Sequence, residues 1–404
     1  GRFRWYAFEG GWILDADRVW VAIGGDVTPP TQFRIFVQRD GGAREIETQV
    51  GYLRLQDMLP LLQLSDTVPA GVRAALATAR PGGDLYNLYL HLGPDGARPA
   101  IPYLYARFAQ LGTAGAWHGL PPVSGLSGVL RGTPAAAHLA LDSRTAGVAA
   151  GDVFRRPLQA RIRGRLDWSR DGGDWRLSVP ALDLDNADIT ARARLSITGA
   201  PGRRPFVDLV ADFKDGDIAH AAAYLPAGKM HPKLVAWLDR ALVGGRVTSG
   251  GLLLYGDLAD FPFDHHRGTF QVQFDVAHGV LAFHKDWPRV EEMQAHITFR
   301  GRSLEVEAAH GRMLDSTIAP ATARIADLTA KPALLSVVGR AEGPAGDALH
   351  IATDTPLNAK LGKYLKGLTA GGRCALALDL ELPLMHPASR VDGTLDFQDG
   401  TLDF

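Results

Sequence analysis

Asp264-His265-His266 is the place in the chain where histidine and carboxylate groups that could bind a metal ion stand together. Imidazole and carboxylate groups are common ligands of zinc. Adjacent side chains of an extended segment point to opposite faces, however, and no second ligand cluster accompanies this one. The single cysteine, Cys374, excludes an intrachain disulfide and a cysteine-rich metal site. A surface turn is therefore the favoured interpretation, and we expect no metal or other cofactor.

Arginines could provide a different chemistry, the binding of phosphate groups. Arg161, Arg163 and Arg165 alternate with apolar residues, and Arg192 and Arg194 do the same further on. The solvated face of a half-buried strand has this pattern too, and we favour that interpretation. The chain has no phosphate-binding glycine loop, zinc-protease helix or nucleophile elbow. The sequence therefore predicts no catalytic residues and no enzymatic activity.

Alternation of apolar and polar residues dominates the chain. It is clearest from Phe270 to Val276, where every second residue is apolar. This period is that of a strand with one apolar and one polar face. The 46 glycines and 25 prolines suit many strands joined by tight turns rather than disorder. The sequence therefore predicts a mainly β fold, with a turn at Gly279.

Short helices interrupt this pattern at residues 53–64, 72–79 and 232–242. In the last of them Pro232 suits the first helical position, and Leu234, Trp237 and Leu238 belong to one apolar stripe. We expect such helices to cover a sheet edge. A role in gating or lining an opening is the alternative that the sequence leaves open.

A unit that spans residues 216–299 is repeated downstream. Gly244-Gly245-Arg246 recurs as Gly371-Gly372-Arg373, and Lys233-Leu234 recurs as Lys360-Leu361 at the same spacing. A fainter copy at 53–92 contains Gly82-Gly83. The predicted domains are a first β segment with short helices at 1–125, an all-β segment at 126–215, the central helix-plus-strands repeat at 216–345, and the start of a further repeat at 346–404.

Charge and hydropathy limit the partners. With 43 basic and 44 acidic residues, the net charge of −1 gives no global attraction to nucleic acid or to an anionic membrane. The sequence contains no run of about 18 apolar residues, so it predicts no transmembrane helix. It contains no secretory signal either. The chain begins without methionine in a strand-like pattern and ends inside a predicted hairpin. We therefore expect it to be a fragment of a longer protein.

An extensive apolar sheet face must be hidden when helices are too few to cover it. The face can be hidden by packing against a second sheet, by winding into a solenoid, or by curling into a trough that holds lipid chains. In a trough, an acyl chain gains about 0.8 kcal/mol for each CH₂ group that it buries. The alternative to a lipid-binding trough is a scaffold or adaptor protein of the cell envelope whose two sheets close on each other and leave no groove. A β-solenoid polysaccharide enzyme would need clustered carboxylates, and none stands out. The residues that alternation predicts for the floor of a trough are Phe270, Val272, Phe274, Leu281, Phe283, Ile297, Phe299, Leu376, Leu378 and Leu380.

The central unit contains several short motifs: Tyr224-Leu225-Pro226, Trp237-Leu238, the segment from Gly256 to Phe263 with its Phe-Pro-Phe, and Trp287-Pro288. These motifs resemble the YhdP family of AsmA-like proteins of Gram-negative bacteria.

The resemblance implies an elongated, curved antiparallel β-sheet groove (β-taco) with a few short amphipathic helices. It implies a periplasmic location in a longer protein that an N-terminal helix anchors in the inner membrane, with TamB and YdbH as relatives. Its partners would be phospholipids and the inner and outer membranes, with no nucleic acid, no cofactor and no catalytic residues.

Overall fold

The fold is mainly β. The structure is a computed structural model of the chain, and it describes all residues except 21, 24–25, 41–42, 65–69, 96–97, 117–119, 266, 366, 385–389 and 404. Strands account for 64% of the residues and helices for 15%, which confirms the fold class that alternation predicts. The described residues divide into two compact units, Gly1–Asn186 with Arg192–Pro205, and Ala187–Ala191 with Phe206–Phe404.

The first unit is an antiparallel meander in which neighbouring strands of the chain pair from the first hairpin onwards. Helices α1 (Leu55–Leu64) and α2 (Ala70–Ala79) form the connection between the sixth and seventh strands. The strands are β1 (Arg2–Phe8), β2 (Gly11–Val19), β3 (Ala22–Ile23), β4 (Asp26–Val27), β5 (Thr31–Asp40), β6 (Ala43–Arg54), β7 (Pro81–Asp95), β8 (Arg98–Thr113), β9 (Val123–Ser124), β10 (Leu126–Gly132), β11 (Ala136–Val148), β12 (Leu158–Asp171), β13 (Asp174–Asp185) and β14 (Thr190–Gly199).

The second unit is also an antiparallel meander. Its α-helices are α3 (Pro232–Ala241), α4 (Ala345–Asp354) and α5 (Asn358–Leu365), and 3-10 helices span Ile218–Ala223, Ala227–Lys229 and Leu258–Asp260. The strands are β15 (Phe206–Lys214), β16 (Gly216–Asp217), β17 (Leu242–Asp257), β18 (Gly268–Leu281), β19 (Val290–Arg300), β20 (Ser303–Met313), β21 (Ser316–Ile318), β22 (Ala321–Ile325), β23 (Leu334–Pro344), β24 (Thr369–Pro383) and β25 (Arg390–Asp403).

Helix α3 begins where the sequence predicts. Pro232 occupies its first turn, and the Nδ1 atom of His231 accepts a hydrogen bond of 3.2 Å from the backbone N–H of Lys233. Trp237 donates its indole N–H to the Phe283 carbonyl at 2.8 Å. This bond fixes the helix to the connection between β18 and β19. The helices α1 and α2 are likewise confirmed, within two residues of their predicted starts.

A paired backbone irregularity recurs after each helical connection. The long strand that follows the helices carries a glycine with positive φ, at 124°, 122° and 81° in the three copies. The next strand carries a non-glycine residue with positive φ, at 51°, 52° and 53° in the three copies. This residue is opposite the glycine or one residue away from it. A Cβ atom on these glycines would lie only 2.8, 2.7 and 2.2 Å from backbone atoms of that neighbouring strand. The pairs are Gly83 with Gln110, Gly245 with His278, and Gly372 with Asp399.

The prediction of a turn at Gly279 is wrong. Strand β18 continues through Gly279 to Leu281, and the pairing with β17 and β19 shifts register there instead. Gly244 and Gly245 likewise lie inside β17 and do not separate it from other strands. Glycine serves both turns and bulges because it tolerates positive φ and close backbone approach, so its presence does not distinguish the two.

Gly250 offers a test of this packing, because it lies between the side chains of Phe213 and Phe274. A Cβ atom there would lie 2.3 Å from Cε2 of Phe213 and 2.8 Å from Cβ of Phe274. We expect Gly250→Ala to lower the free energy of unfolding by about 1–3 kcal/mol, the usual cost of overpacking. Urea unfolding followed by circular dichroism measures this change.

Gly251→Ala is the matched control, because the nearest atom to its added methyl group is the Ala211 carbonyl oxygen at an ordinary 3.7 Å. It should leave stability unchanged or raise it by about 0.5–1 kcal/mol through the lost flexibility of glycine. Equal stability of the two variants would contradict the packing described for Gly250.

Candidate functional site

Asp264 is bound to the neighbouring turn. Its carboxylate accepts two hydrogen bonds from the Arg302 guanidinium, one of them 2.7 Å long from Nε. His265 is exposed, and His266 lies outside the described residues. Within the described residues, no three histidine, cysteine, aspartate or glutamate side chains form a group that could hold a metal ion. The structure therefore gives Asp264 a role in joining two turns.

The alternating arginines of β12 lie on the exposed face of that strand. Arg163 lies 3.5 Å from the Asp142 carboxylate and Arg165 lies 3.1 Å from that of Asp167. Exposed pairs of this kind contribute little stability, on the order of 0–1 kcal/mol each. These arginines thus form ion pairs with carboxylates of their own sheet face.

Two continuous rows of apolar residues cross the second unit, perpendicular to its strands. In each row every residue is the register partner of the next, so that all of them face the same side of the sheet. The first row consists of Phe213, Gly250, Phe274, Ile297, Val306, Ala323, Val337, Leu380 and Val391. The second consists of Ala211, Leu252, Val272, Phe299, Leu304, Ile325, Leu335 and Leu382.

From β18 to β25 the opposite face of the sheet is polar. One of its rows consists of Gln273, Thr298, Glu305, Arg324, Ser336, Glu381 and Arg390. The next consists of Asp275, His296, Glu307, Thr322, Val338, Asp379 and Asp392, in which Val338 is the apolar exception. The two faces of the sheet therefore differ sharply in chemistry.

The apolar face is only half-buried. Ile297 is 8% exposed and Ile325 is 6% exposed, but Val272, Phe274, Phe299 and most other members of the two rows keep intermediate exposure. A closed core between two layers would bury such side chains almost completely. Helices α3 and α4 pack against β17, β23 and β24. A large part of this face is therefore accessible to a ligand.

The predicted floor residues are located on this face or at its end. Phe274, Ile297 and Leu380 belong to the first row, and Val272 and Phe299 belong to the second. Their contact with lipid remains a prediction. Of the others, Phe270 is opposite Leu254, Leu281 is opposite Val290, Leu376 is opposite Ala341, Leu378 is opposite Gly339, and Phe283 contacts the ring of Trp287 with 5.9 Å between the ring centroids.

Several residues of the face were missed by sequence reasoning. Leu304, Val306 and Ile325 carry the same alternation signal as β18, so the period of their own strands could have found them. Consecutive apolar residues, as in Leu252-Leu253-Leu254 and Val337-Val338, give no such signal. The larger apolar members of the two rows that were missed are Phe213, Leu252, Leu304, Val306, Ile325, Leu335, Val337, Leu382 and Val391.

A hydrogen-bonded group on the polar face joins three strands. The Asp275 carboxylate lies 2.7 Å from Nδ1 of His296 and accepts a hydrogen bond of 2.8 Å from the Ser249 hydroxyl. The bond to His296, followed by that to Ser249, lowers the pKa of Asp275 below its ordinary value. These residues hold β17, β18 and β19 together on the side opposite the apolar rows.

The fold and this face define a class: antiparallel meander proteins that present one long apolar surface and one polar surface. The model of the YhdP protein family matches residues 1–404, and the chain therefore belongs to that family. This confirms the resemblance seen in the sequence.

The chain is 25% identical over 291 residues to the intermembrane phospholipid transporter YhdP of Escherichia coli (strain K12). The match covers 71% of this chain and 22% of that protein, so the chain spans less than a quarter of the curated relative. No solved structure matches the chain. Among the helices that the structure describes, none has both the length and the apolar composition needed to cross a membrane.

Asp275 leads to a prediction about pH. Because its pKa is lower in the folded state, the ionised carboxylate stabilises the fold above the unfolded-state value of about 3.9, and this contribution disappears as pH falls through the folded-state pKa. We expect Asp275→Asn to be less stable than the wild type near pH 5, with the difference shrinking below about pH 4. Urea unfolding at a series of pH values measures it.

The control uses the histidine partner. In a His296→Gln background the bond that contributes most to the pKa shift is missing, so the pH-dependent part of the Asp275→Asn effect should become smaller. A stability difference between the wild type and the Asp275→Asn variant that stays constant down to about pH 3 would contradict the role given to this carboxylate.

Proposed function

We propose that the chain is a segment of a non-enzymatic conduit that moves phospholipids between the inner and outer membranes. The apolar rows of the second unit hold the acyl chains, and the head groups stay in water at the edge of the sheet. The segment lies in the periplasm, between the two membranes that the full-length protein serves. The name of the Escherichia coli relative, an intermembrane phospholipid transporter, supports this role.

The observation that carries the proposal is the half-exposed apolar face. Its first row continues without a polar residue from β15 to β25, and most of its side chains retain access to solvent. Exposed apolar patches of more than a few hundred Å² are rare on soluble proteins and mark sites of interaction. A ligand made of hydrocarbon matches such a face without requiring any specific polar contact.

The energetics of this face suit transport. Each methylene group removed from water gains about 0.8 kcal/mol, so an acyl chain is retained by the sum of many weak contacts. Neighbouring strands are about 4.8 Å apart and present similar side chains in each row. A chain that moves from one strand to the next exchanges equivalent contacts, which keeps the barrier to sliding low. Catalytic groups are not required for this work.

A structural or adaptor role in the envelope, without a lipid groove, is the second candidate. The buried cluster of Val276, Ala295 and Ile297 favours it, because there the apolar face is closed by its own neighbours. This closure is confined to one part of the face, whereas Val272, Val337 and Leu380 do not belong to the cluster and keep intermediate exposure. The lipid content of the purified chain distinguishes the two candidates.

Val272→Glu tests the conduit. Val272 is half-buried in the second row, between Leu252 and Phe299, so a glutamate there introduces a charge among the acyl chains. If the charge displaces two methylene groups from the face, the loss is about 1.6 kcal/mol, or roughly tenfold in affinity. We expect a loss of about this size in the phospholipid retained after incubation with vesicles, as measured by mass spectrometry.

Gln273→Glu is the matched control, because it adds the same charge one residue further along β18, at an exposed position of the polar face. It should retain as much phospholipid as the wild type, and circular dichroism should show both variants folded. Equal retention by the two variants would contradict the proposal, and a wild-type chain that retains no phospholipid would favour the structural role.

A further inference from the structure

Three connections of the second unit meet at one end of its strands. They are the segment between β18 and β19, the turn between β20 and β21, and helix α4 after β23. Together they enclose an open cavity of about 610 Å³. Binding pockets for small molecules usually have volumes of about 300–1,000 Å³, so the space suffices for a polar head group. The residues that line it are Pro288, Arg289, Glu291, Arg312, Leu314, Asp315, Asp347 and His350.

Most of the charged groups in this cavity are bound to one another or to other parts of the protein. Arg312 forms an ion pair with Glu291 at 3.0 Å. The carboxylate of Asp347 accepts a hydrogen bond of 2.7 Å from the Ser316 hydroxyl, which attaches α4 to β21. His350 lies 2.7 Å from the carboxylate of Asp354. These contacts hold the walls of the cavity in place and leave those groups little capacity for a ligand.

Arg289 and Asp315 are different, because both side chains are exposed and neither forms an ion pair with any residue that the structure describes. They belong to different connections, and they do not neutralise each other. The cavity therefore presents one uncommitted cation and one uncommitted anion. A ligand that carries both a negative and a positive charge is the complement of this arrangement.

We propose that this cavity binds the zwitterionic head group of a phospholipid that bears a primary ammonium, with the phosphate at Arg289 and the ammonium at Asp315. The inference rests on the proposed conduit, which supplies the lipid. Three carboxylates and two guanidinium groups line the cavity, so a purely anionic head group is disfavoured. Quaternary ammonium groups are recognised by aromatic cages, and no Phe, Tyr or Trp is among the lining residues that the structure describes.

The position of the cavity allows a lipid to use both surfaces at once. Next to Arg289, Val290 is opposite Leu281 of the predicted floor. On the other wall, Ile318 of β21 lies three residues after Asp315 and is the register partner of Ala341, which is opposite Leu376. The cavity thus lies at the end of the strands that carry the apolar face, so a head group bound there leaves the acyl chains free to extend along those strands.

The test measures lipid selection by the 404-residue chain. The chain is incubated with vesicles of equal parts phosphatidylethanolamine, phosphatidylcholine and phosphatidylglycerol, re-isolated, and its bound lipids are quantified by mass spectrometry. We expect phosphatidylethanolamine to be enriched over its share of the vesicle by about two- to fivefold, the effect of one or two exposed charge contacts. Arg289→Gln and Asp315→Asn should each reduce this enrichment while total bound lipid stays unchanged.

Arg300→Gln is the matched control, because Arg300 is an exposed arginine at the far end of β19, the strand that follows Arg289. It should keep the wild-type enrichment. Retained lipid in the vesicle ratio, or enrichment that survives in both cavity variants, would overturn the head-group site alone. A wild-type chain without any lipid would overturn the conduit, and the head-group site with it.

A final arm distinguishes a lipid head group from a soluble zwitterion. Excess glycerophosphoethanolamine, which carries the head group without acyl chains, should displace phosphatidylethanolamine only weakly, because the apolar face contributes most of the affinity. Complete displacement would overturn the assignment to a lipid.

Discussion

In-register pairing is the constraint on which the two-faced sheet of the second unit depends. Side chains alternate with a period of two, so a slip of one residue in any ladder would move an apolar row onto the polar face. The register irregularities between β17, β18, β19 and β20 are confined to one half of each strand, the half nearest helices α3 and α4. The two apolar rows cross the regular part of the same ladders. The register irregularities and the continuous apolar face therefore occupy different parts of each strand.

The paired glycine irregularities show how the helical connections are accommodated. A bulge increases local twist and redirects the strand that carries it. Each copy stands at the start of a long strand that has just left a helix, where redirection joins the helix to the sheet. The same end of the strands in the second unit holds the cavity with Arg289 and Asp315. The end of the sheet that is irregular in backbone is thus also the end that offers specific polar chemistry.

The sequence predicts those properties that depend on the residues of a single strand or helix. Alternation in Phe270, Val272 and Phe274 predicts both the strand and its apolar face, and Pro232 predicts the start of α3. It does not predict a structural feature that depends on contact with another strand or connection. Gly279 is not a turn but a point of close backbone approach, because a Cβ atom on Gly245 of the adjacent strand would lie 2.7 Å from the Gly279 Cα atom. Arg289 and Asp315 face one cavity only because three separate connections meet there, and no local pattern encodes such a meeting.

The meander connectivity has a consequence for how the second unit comes apart. Almost every ladder joins strands that are neighbours in the chain, so each contact closes a short loop and costs little entropy. Removal of an edge strand therefore breaks a single ladder and leaves the next one intact. In architectures with nearest-neighbour contacts, stability is approximately the sum of a contribution from each repeat and one from each interface between neighbours. Such a sheet can fray at its edge and re-form while its interior stays assembled.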